Sequence, residues 1–312
     1  MTRNPLAPSA LWSMTREAVT AWRNDFAPSM GAAIAYYTAF SIAPLIVIVL
    51  AIAGFFFGQE AAGGYLYGQL AELLGSRGAQ AVQAMVASAS DPAEGIVATA
   101  VGALLLVVGA TTVFAELQSD LDRIWKAPAL PRVGGVWGLL RGRVLSLGLV
   151  MSFGFVMLAS LVVSAALAAL SAWWGGTFES YRWLLRIVNF VVGLAVITVL
   201  FALMYKILPR VSIGWRDVWI GALVTALLFG IGKFLVGLYI GRSSVASSFG
   251  AAGSLAVLLV WVYYSAQIFL LGAEFTWVYA HRYGSRRGQA MPVATGPTRI
   301  TPAGAARGSP HR

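Results

Sequence analysis

The chain alternates long apolar runs with shorter, mostly basic connections. Six runs reach the roughly 20 apolar residues that a helix needs to cross a bilayer. Each run carries at most one ionisable residue, and the strand-like alternation typical of a membrane β-barrel does not occur. The pattern predicts an all-α polytopic membrane bundle with about six transmembrane helices, at residues 32–57, 96–115, 144–170, 187–205, 218–240 and 254–280.

The segments outside these spans are predicted to include amphipathic helices. Within residues 1–31, apolar side chains recur at helical spacing and predict an interfacial helix on the inner leaflet. Residues 65–89, after the first span, predict one or two further amphipathic helices with a break near residues 75–78. The transmembrane domain is expected over residues 32–285, followed by a disordered basic tail at 286–312. The interfacial face of the N-terminal helix comprises Leu11, Thr15, Ala18, Val19, Trp22 and Phe26.

Composition agrees with a membrane protein. Hydrophobic residues make up 59% of the chain and charged residues 11%, against roughly 25% charged residues in soluble domains. Mean hydropathy is +0.77. The first apolar run is too long for the core of a signal peptide, so we expect it to remain as the first span.

The net charge of +10 is better explained by membrane topology than by binding to a nucleic acid. Seventeen of the 22 Lys and Arg residues fall in the N-terminal segment, the second and fourth connections and the tail. Basic residues collect on the cytoplasmic side of membrane proteins. Both termini are therefore predicted to be cytoplasmic.

The first span contains the candidate polar residues Tyr36, Tyr37 and Ser41, with Pro44 one turn further on. Proline removes a backbone donor and kinks a helix, which frees a carbonyl group near residue 40. The three hydroxyl groups either satisfy such freed groups at a structural kink or line a polar cavity. The sequence leaves both interpretations open.

The second span continues into a polar helix end that carries Glu116, Asp120 and Arg123 on one face. The spacing of Asp120 and Arg123 permits an ion pair. A solvated helix end is the ordinary interpretation of this face. A gate at the inner mouth of the bundle is the more specific one.

The single intramembrane acid is Glu274, in the last predicted span. An ionisable group inside a span is by default a functional candidate, because burial in lipid costs about 2 to 3 kcal/mol or more. Gln267 extends the same polar stripe, and Lys233 in the fifth span is the complementary cation. Because Lys233 and Glu274 stand at opposite ends of their spans, we expect no direct pair between them. Snorkelling to the membrane surface is the alternative role for Lys233.

Enzymatic signatures are missing from the sequence. The chain has no cysteine and two histidines, and no metal-binding, nucleophile or phosphate-cradling motif occurs. We therefore expect no enzyme, no cofactor and no metal. Pairs of glycines at four-residue spacing permit close helix packing but do not establish a homo-oligomer.

Four segments together resemble the YihY/BrkB family of bacterial inner-membrane proteins, formerly named ribonuclease BN. They are AYYTAFSIAPL (residues 35–45), GATTVFAELQSDLDRIWK (109–126), YKILP (205–209) and residues 250–275 with GSLAVLLVWVYYSAQIFLLGAEF. The resemblance covers roughly residues 20–285. Asp122 departs from the asparagine that family members often carry before the Arg-Ile-Trp run.

The resemblance implies a six-helix protein of the bacterial inner membrane whose activity is unsettled. Virulence, serum resistance, transport and lipid translocation are associated with the family, and the ribonuclease name is regarded as a misassignment. The expected function is therefore a transporter or flippase-like protein for a small solute or a lipid component. The alternatives are a non-catalytic scaffold for envelope integrity and, less favoured, a ribonuclease.

Overall fold

The computed structural model describes residues 7–89, 96–128, 182–242 and 250–288. Within these ranges the backbone is helical apart from short connections and contains no β-strand, as the predicted all-α class requires. The helices, numbered here in chain order, are α1 (Pro8–Asn24), α2 (Ala27–Phe57), α3 (Gln59–Ala89), α4 (Ile96–Ile124), α5 (Arg182–Ile207), α6 (Trp215–Arg242) and α7 (Gly250–Arg282).

Four of these helices, α2, α5, α6 and α7, have the length and hydropathy to cross a membrane. They coincide with the first, fourth, fifth and sixth predicted spans. The second predicted span forms the beginning of α4. The third, at 144–170, lies outside the described residues, as does the predicted tail from residue 289 onward.

Helix α6 shows which side of the bundle borders lipid. Its exposed side chains include Trp215, Trp219, Leu223, Leu227 and Ile231, at intervals of four residues. This spacing places them on one face of the helix. An apolar face exposed along a whole helix indicates contact with lipid rather than with water.

Helix α7 is the central element of the described structure. It contacts α1, α2, α3, α4 and α6, and its second half is almost entirely buried. Leu270 and Val278 of α7 lie in a core cluster with Leu121 of α4 and Val218 of α6. The side chains in the second half of α7 are therefore surrounded by several other helices.

Glycines bring α5, α6 and α7 into close contact. A methyl group added at Gly221 would overlap Thr276, and one added at Gly272 would overlap Thr225 and the Tyr205 hydroxyl. Small residues allow helix backbones to approach in this way. The pairs 221/276 and 225/272 also show that α6 and α7 run antiparallel.

Helix α1 has one face on the bundle and one face away from it. Ala10, Met14 and Ala18 are buried against the bundle, whereas Leu11 and Val19 of the predicted interfacial face remain exposed. Ser13 and Glu17 contact Arg282, so α1 lies along the last turns of α7. Small alanine side chains allow this close approach, and the bulkier apolar residues occupy a second, outward face.

Helix α3 contradicts the expected break near residues 75–78, because it continues without interruption from Gln59 to Ala89. Glycine in a helix interior costs about 1 kcal/mol, which tertiary packing readily offsets. Here α3 packs on α2 and α7, with Val82 and Val86 buried. The chain instead turns between α2 and α3 at Gly58, whose φ of 84° favours glycine.

Candidate functional site

Three charged side chains meet where the C-terminal ends of α1 and α4 approach α7. Asp25 follows α1, Lys126 follows α4, and Glu274 belongs to α7. Lys126 Nζ lies 2.6 Å from Asp25 Oδ1 and 2.5 Å from Oδ2. The Glu274 carboxyl lies close enough to Asp25 and Lys126 to interact with both. We refer to these three residues as the acid–lysine cluster.

Glu274 is the most enclosed member of the acid–lysine cluster. Its side chain is only 1% exposed, and its Oε1 atom has no hydrogen-bond partner. A buried polar atom without a partner costs about 1 to 3 kcal/mol. Such an atom is unusual in a folded protein and indicates a functional constraint.

The backbone at the acid–lysine cluster is also unusual. Phe26, next to Asp25, has a φ of 59°, and Lys126 itself has a φ of 49°. Residues with a Cβ rarely adopt this left-handed conformation, and such strain concentrates at functional sites. At both positions it allows the chain to leave a helix end sharply and direct a charged side chain towards α7.

The acid–lysine cluster brings two acidic side chains against one basic side chain. The Lys126 ammonium group pairs directly with Asp25, and Glu274 is the buried acid beside this ion pair. The cluster therefore joins α7 to the ends of α1 and α4 through charged groups.

Three further contacts tie the helices together at the same end of the bundle. Arg282 forms an ion pair with Glu17 and donates to Ser13 Oγ at 3.0 Å. Asp217, at the start of α6, accepts hydrogen bonds from Ser285 N at 2.8 Å and Ser285 Oγ at 2.7 Å. We call this region the α1 end of the bundle.

The third contact joins α4 to the segment after α5. Asp122 accepts the Arg210 backbone N–H at 2.8 Å, and its Oδ2 lies 3.3 Å from the Arg210 guanidinium. Gln118 donates to the Leu208 carbonyl at 2.8 Å. Burial raises the pKa of Asp122, while the N–H and the charge of Arg210 oppose that rise.

The predicted gate residues on α4 behave differently from one another. Asp120 is only 3% exposed and its Oδ2 has no hydrogen-bond partner, whereas Arg123 is exposed. The ion pair that the spacing of Asp120 and Arg123 permits is not formed, since no bridge within 4 Å joins the two in the described structure. Burial, reinforced by the Glu116 carboxylate and opposed by Arg123, raises the pKa of Asp120 to about 7.

The structure separates the two intramembrane charges. Gly232 packs against Tyr264, so Lys233 lies at the level of residue 264 of α7. Ten residues of helix separate that level from Glu274, about 15 Å along the axis. The expectation that Lys233 and Glu274 do not pair agrees with this register.

The remaining candidates in the first span are scattered. Tyr36 is 59% exposed and packs on Tyr37 and Phe40, away from the acid–lysine cluster. Ser41 is buried without a hydrogen-bond partner. Pro44 lies within the continuous helix α2 and would be 3.0 Å from a methyl group placed at Gly109 of α4.

Gln267 lies beside the start of α2. Its Nε2 atom donates to the Ala27 carbonyl at 3.4 Å, and its Oε1 atom is buried without a partner. Its side chain also fills the space beside Gly31. Gln267 therefore forms a polar contact between α7 and α2, two turns from Glu274.

Sequence patterns alone do not single out Asp25, Lys126 or Asp217 as functional candidates. Asp25 falls on the polar face of the predicted N-terminal helix, and Lys126 is one of the basic residues of the second connection. The one available signal for Asp25 and Lys126 is that each follows the last turn of a long helix. Their convergence on Glu274 requires contacts between residues more than a hundred positions apart.

Among residues 7–89, 96–128, 182–242 and 250–288, no group of three or more His, Cys, Asp or Glu side chains is arranged to hold a metal ion.

The long apolar helices and their lipid-facing side chains define the class of the molecule, an α-helical membrane protein. Residues 18–296 match the family model described as virulence factor BrkB. The chain therefore belongs to the BrkB family, and the resemblance noted from its motifs is confirmed.

Curated relatives carry the name UPF0761 membrane protein. One from Tolumonas auensis is 28% identical over 189 residues, covering 57% of this chain and 56% of the relative. One from Ralstonia nicotianae is 27% identical over 272 residues, covering 84% and 58%. One from Klebsiella pneumoniae is 31% identical over 182 residues, covering 57% and 59%.

The matches thus span less than three-fifths of the length of these relatives. No solved structure matches the chain.

The segments that carry the family resemblance contact one another in the structure. Pro44 of the first packs on Gly109 of the second, and Gln118 of the second binds Leu208 of the third. The Tyr205 hydroxyl donates to the Phe269 carbonyl at 2.7 Å, which joins the third segment to the fourth. The family motifs therefore form one contiguous part of the bundle.

Proposed function

We propose that this protein is a transporter or flippase-like protein that moves a small solute or a lipid component of the envelope across the bacterial inner membrane. The proposal includes six spans, cytoplasmic N- and C-termini and no enzymatic activity. The α1 end of the bundle is then the cytoplasmic end. The observation that carries the proposal is the acid–lysine cluster with its buried Glu274.

The acid–lysine cluster has the properties of an element that opens and closes. It joins the α1–α2 junction and the end of α4 to α7, through a buried acid, Glu274, and an ion pair that is partly exposed to solvent. Alternating access requires such contacts at one end of a bundle to form and break. A change in the charge of one member of the cluster changes the strength of the contact.

The distribution of basic residues supports the orientation. Arg16 and Arg23 of α1, and Arg216 at the start of α6, lie at the same end of the bundle as the acid–lysine cluster. This is the basic end that the positive-inside rule assigns to the cytoplasm.

Transport is tested with full-length protein in proteoliposomes. Lipid movement is followed by dithionite quenching of NBD-labelled phosphatidylethanolamine, and solute movement by vesicle re-swelling in glycerol, sorbitol or potassium chloride. We expect wild-type protein to accelerate at least one probe and Glu274→Gln to change that rate at least several-fold. The matched control is Glu60→Gln, an exposed carboxylate at the start of α3 that we expect to be neutral. Rates equal to those of protein-free vesicles, with no cellular difference between wild type and Glu274→Gln, would refute transport.

A non-catalytic scaffold is the second candidate, favoured by the close packing of α5, α6 and α7. Gly221 and Gly272 leave no room for a methyl group, and the Tyr205 hydroxyl is satisfied within the protein. A scaffold predicts that Glu274→Gln alters neither flux nor growth, while substitutions that loosen this packing impair the envelope. Membrane integrity measured in cells that carry each variant separates the two candidates.

A further inference from the structure

The outward face of α1 forms an open groove on the surface of the protein. Its volume is about 750 Å³. The face of α1 opposite to it, with Ala10, Met14 and Ala18, packs on the bundle. The groove is lined by Trp12, Thr15, Arg16, Val19, Thr20, Arg23 and Asn24.

The described side chains that line this groove carry only positive charge. Arg16 and Arg23 are exposed, are two helical turns apart, and form no ion pair within the described structure. The acidic neighbours in α1 and just after it are engaged elsewhere, Glu17 with Arg282 and Asp25 with Lys126. Among the described residues of the lining, none is acidic.

The groove lies at the level of a membrane surface. Ser13 of α1 contacts Arg282, at the end of α7, and Asp217 of α6 contacts Ser285 just beyond it. The groove therefore lies level with the beginning of α6, where Trp215 is exposed. Exposed tryptophans mark the headgroup region of a bilayer, and Trp12 in the groove is 73% exposed.

We propose that this groove binds the headgroup phosphate of an anionic phospholipid from the leaflet at the α1 end. Arg16 and Arg23 contact the phosphate oxygens, for which the planar guanidinium group is well suited. Trp12 and Val19 lie beside the glycerol and the first methylene groups of the acyl chains. The site is independent of the transport proposal, since it lies on the opposite face of α1 from the contacts with α7.

The experiment is a lipid titration of the full-length, detergent-purified protein, with bound lipids counted by native mass spectrometry. The probes are phosphatidylglycerol, phosphatidylcholine and water-soluble glycerol phosphate. Arg16→Gln/Arg23→Gln is compared with Arg216→Gln/Arg287→Gln, which removes two exposed arginines at the same end but outside the groove. Elution volume in size-exclusion chromatography verifies that each variant is folded.

We expect wild-type protein to bind phosphatidylglycerol more tightly than phosphatidylcholine. Each arginine near an anionic lipid surface contributes about 1 kcal/mol to binding. Neutralising both should therefore lower the affinity for phosphatidylglycerol by about tenfold or more. The groove variant should show this loss, and the control variant less than about threefold. In bilayers of brominated phosphatidylglycerol, Trp12→Phe should also reduce the quenched share of the tryptophan fluorescence.

Equal losses in the two double variants would overturn the proposal, because binding would then follow overall charge rather than the groove. Competition by glycerol phosphate at the concentration of the lipid would also overturn it, by identifying a site for free anions. A groove variant that retains wild-type lipid binding while losing a protein partner would assign the surface to that partner instead.

Discussion

The two sides of α7 around Glu274 hold their neighbouring helices in different ways. On the side of α5 and α6, glycine faces threonine and tyrosine, and the hydroxyl groups bind carbonyl groups within the protein. On the side of α1 and α4, the helices meet through the charged side chains of Asp25, Lys126 and Glu274.

One of these regions has a fixed geometry, and the other is held by charge. Steric contact at Gly221 and Gly272 leaves the helices a single spacing. The acid–lysine cluster holds the α1–α2 junction against α7 through charged groups, of which Lys126 is exposed to solvent. The α5–α6 side of α7 is therefore suited to act as a rigid core, and the α1–α4 side as the part that moves.

The largest effect is expected from a methyl group added where the helices have a fixed spacing. A methyl group at Gly272 would lie 2.6 Å from the Tyr205 hydroxyl and would overlap Thr225. Gly272→Ala should therefore destabilise the protein by about 2 to 3 kcal/mol, the range for overpacked cores. The matched control is Gly193→Ala in α5, where no atom lies within 4 Å of the added methyl group. Thermal midpoints of the two purified variants test the prediction, and equal midpoints would contradict it.

The next effect distinguishes the charged members of the acid–lysine cluster. Lys126→Gln removes the cation beside two acids and should lower stability by about 1 kcal/mol, because its pair with Asp25 is partly exposed to solvent. Glu274→Gln keeps the shape of the buried side chain and should change stability by less than about 0.5 kcal/mol. The same thermal assay orders the two. If Glu274→Gln were the more destabilising, the carboxyl of Glu274 rather than the Lys126–Asp25 pair would hold this side of α7.

A pH-dependent effect is expected at Asp120, beyond the predicted second span. Its pKa is raised from 3.8 to about 7 in the folded protein, first by burial and then by Glu116. Between pH 4 and 7 the folded state holds a proton that the unfolded state has released, so stability falls as the pH rises through this window. Asp120→Asn remains neutral and should raise the thermal midpoint by about 4 °C at pH 8.

The gain from Asp120→Asn should be much smaller at pH 5, where the wild-type carboxyl remains protonated in the folded state. Melting curves at both pH values check the sign. A gain that is independent of pH would show that the carboxyl does not titrate between the two values.

The smallest effect is expected from one hydroxyl group in the fixed region. Tyr205→Phe removes the 2.7 Å hydrogen bond to Phe269 O and the 3.0 Å contact with Thr225 Oγ1. A net loss of about 1 kcal/mol follows from the usual value of such bonds. Tyr36→Phe, at an exposed tyrosine, serves as the control and should leave the midpoint unchanged. A larger loss than at Gly272 would reverse the proposed order of steric and polar contributions.

The orientation on which the proposed function depends is tested independently. Because the chain has no cysteine, single cysteines report accessibility without background. Glu60→Cys, at the start of α3, should react with a membrane-impermeant maleimide in intact cells. Thr15→Cys, exposed on α1, should react only after the inner membrane is permeabilised. The opposite pattern would place the acid–lysine cluster at the outer face.

Much of the helical organisation could be predicted from the sequence because bilayer thickness imposes a minimum apolar length on each span. The predicted spans 32–57, 187–205, 218–240 and 254–280 lie in helices of the structure. Glu274 was also identified, since an isolated acid in an apolar run has no ordinary explanation. The break in α3 was wrong because local glycine propensity is outweighed by packing on α2 and α7.

The amino-acid sequence alone determined that the chain is a helical membrane protein of the BrkB family, with an acid buried in its last helix. Only the tertiary structure decided that this acid meets Asp25 and Lys126, and that α1 turns its alanines rather than its bulky residues to the bundle. The physical reason is that hydropathy and helical period are local properties of the chain. Which side chains contact one another depends instead on the register of the helices and on the left-handed backbone at Phe26 and Lys126. Both are imposed by long-range packing.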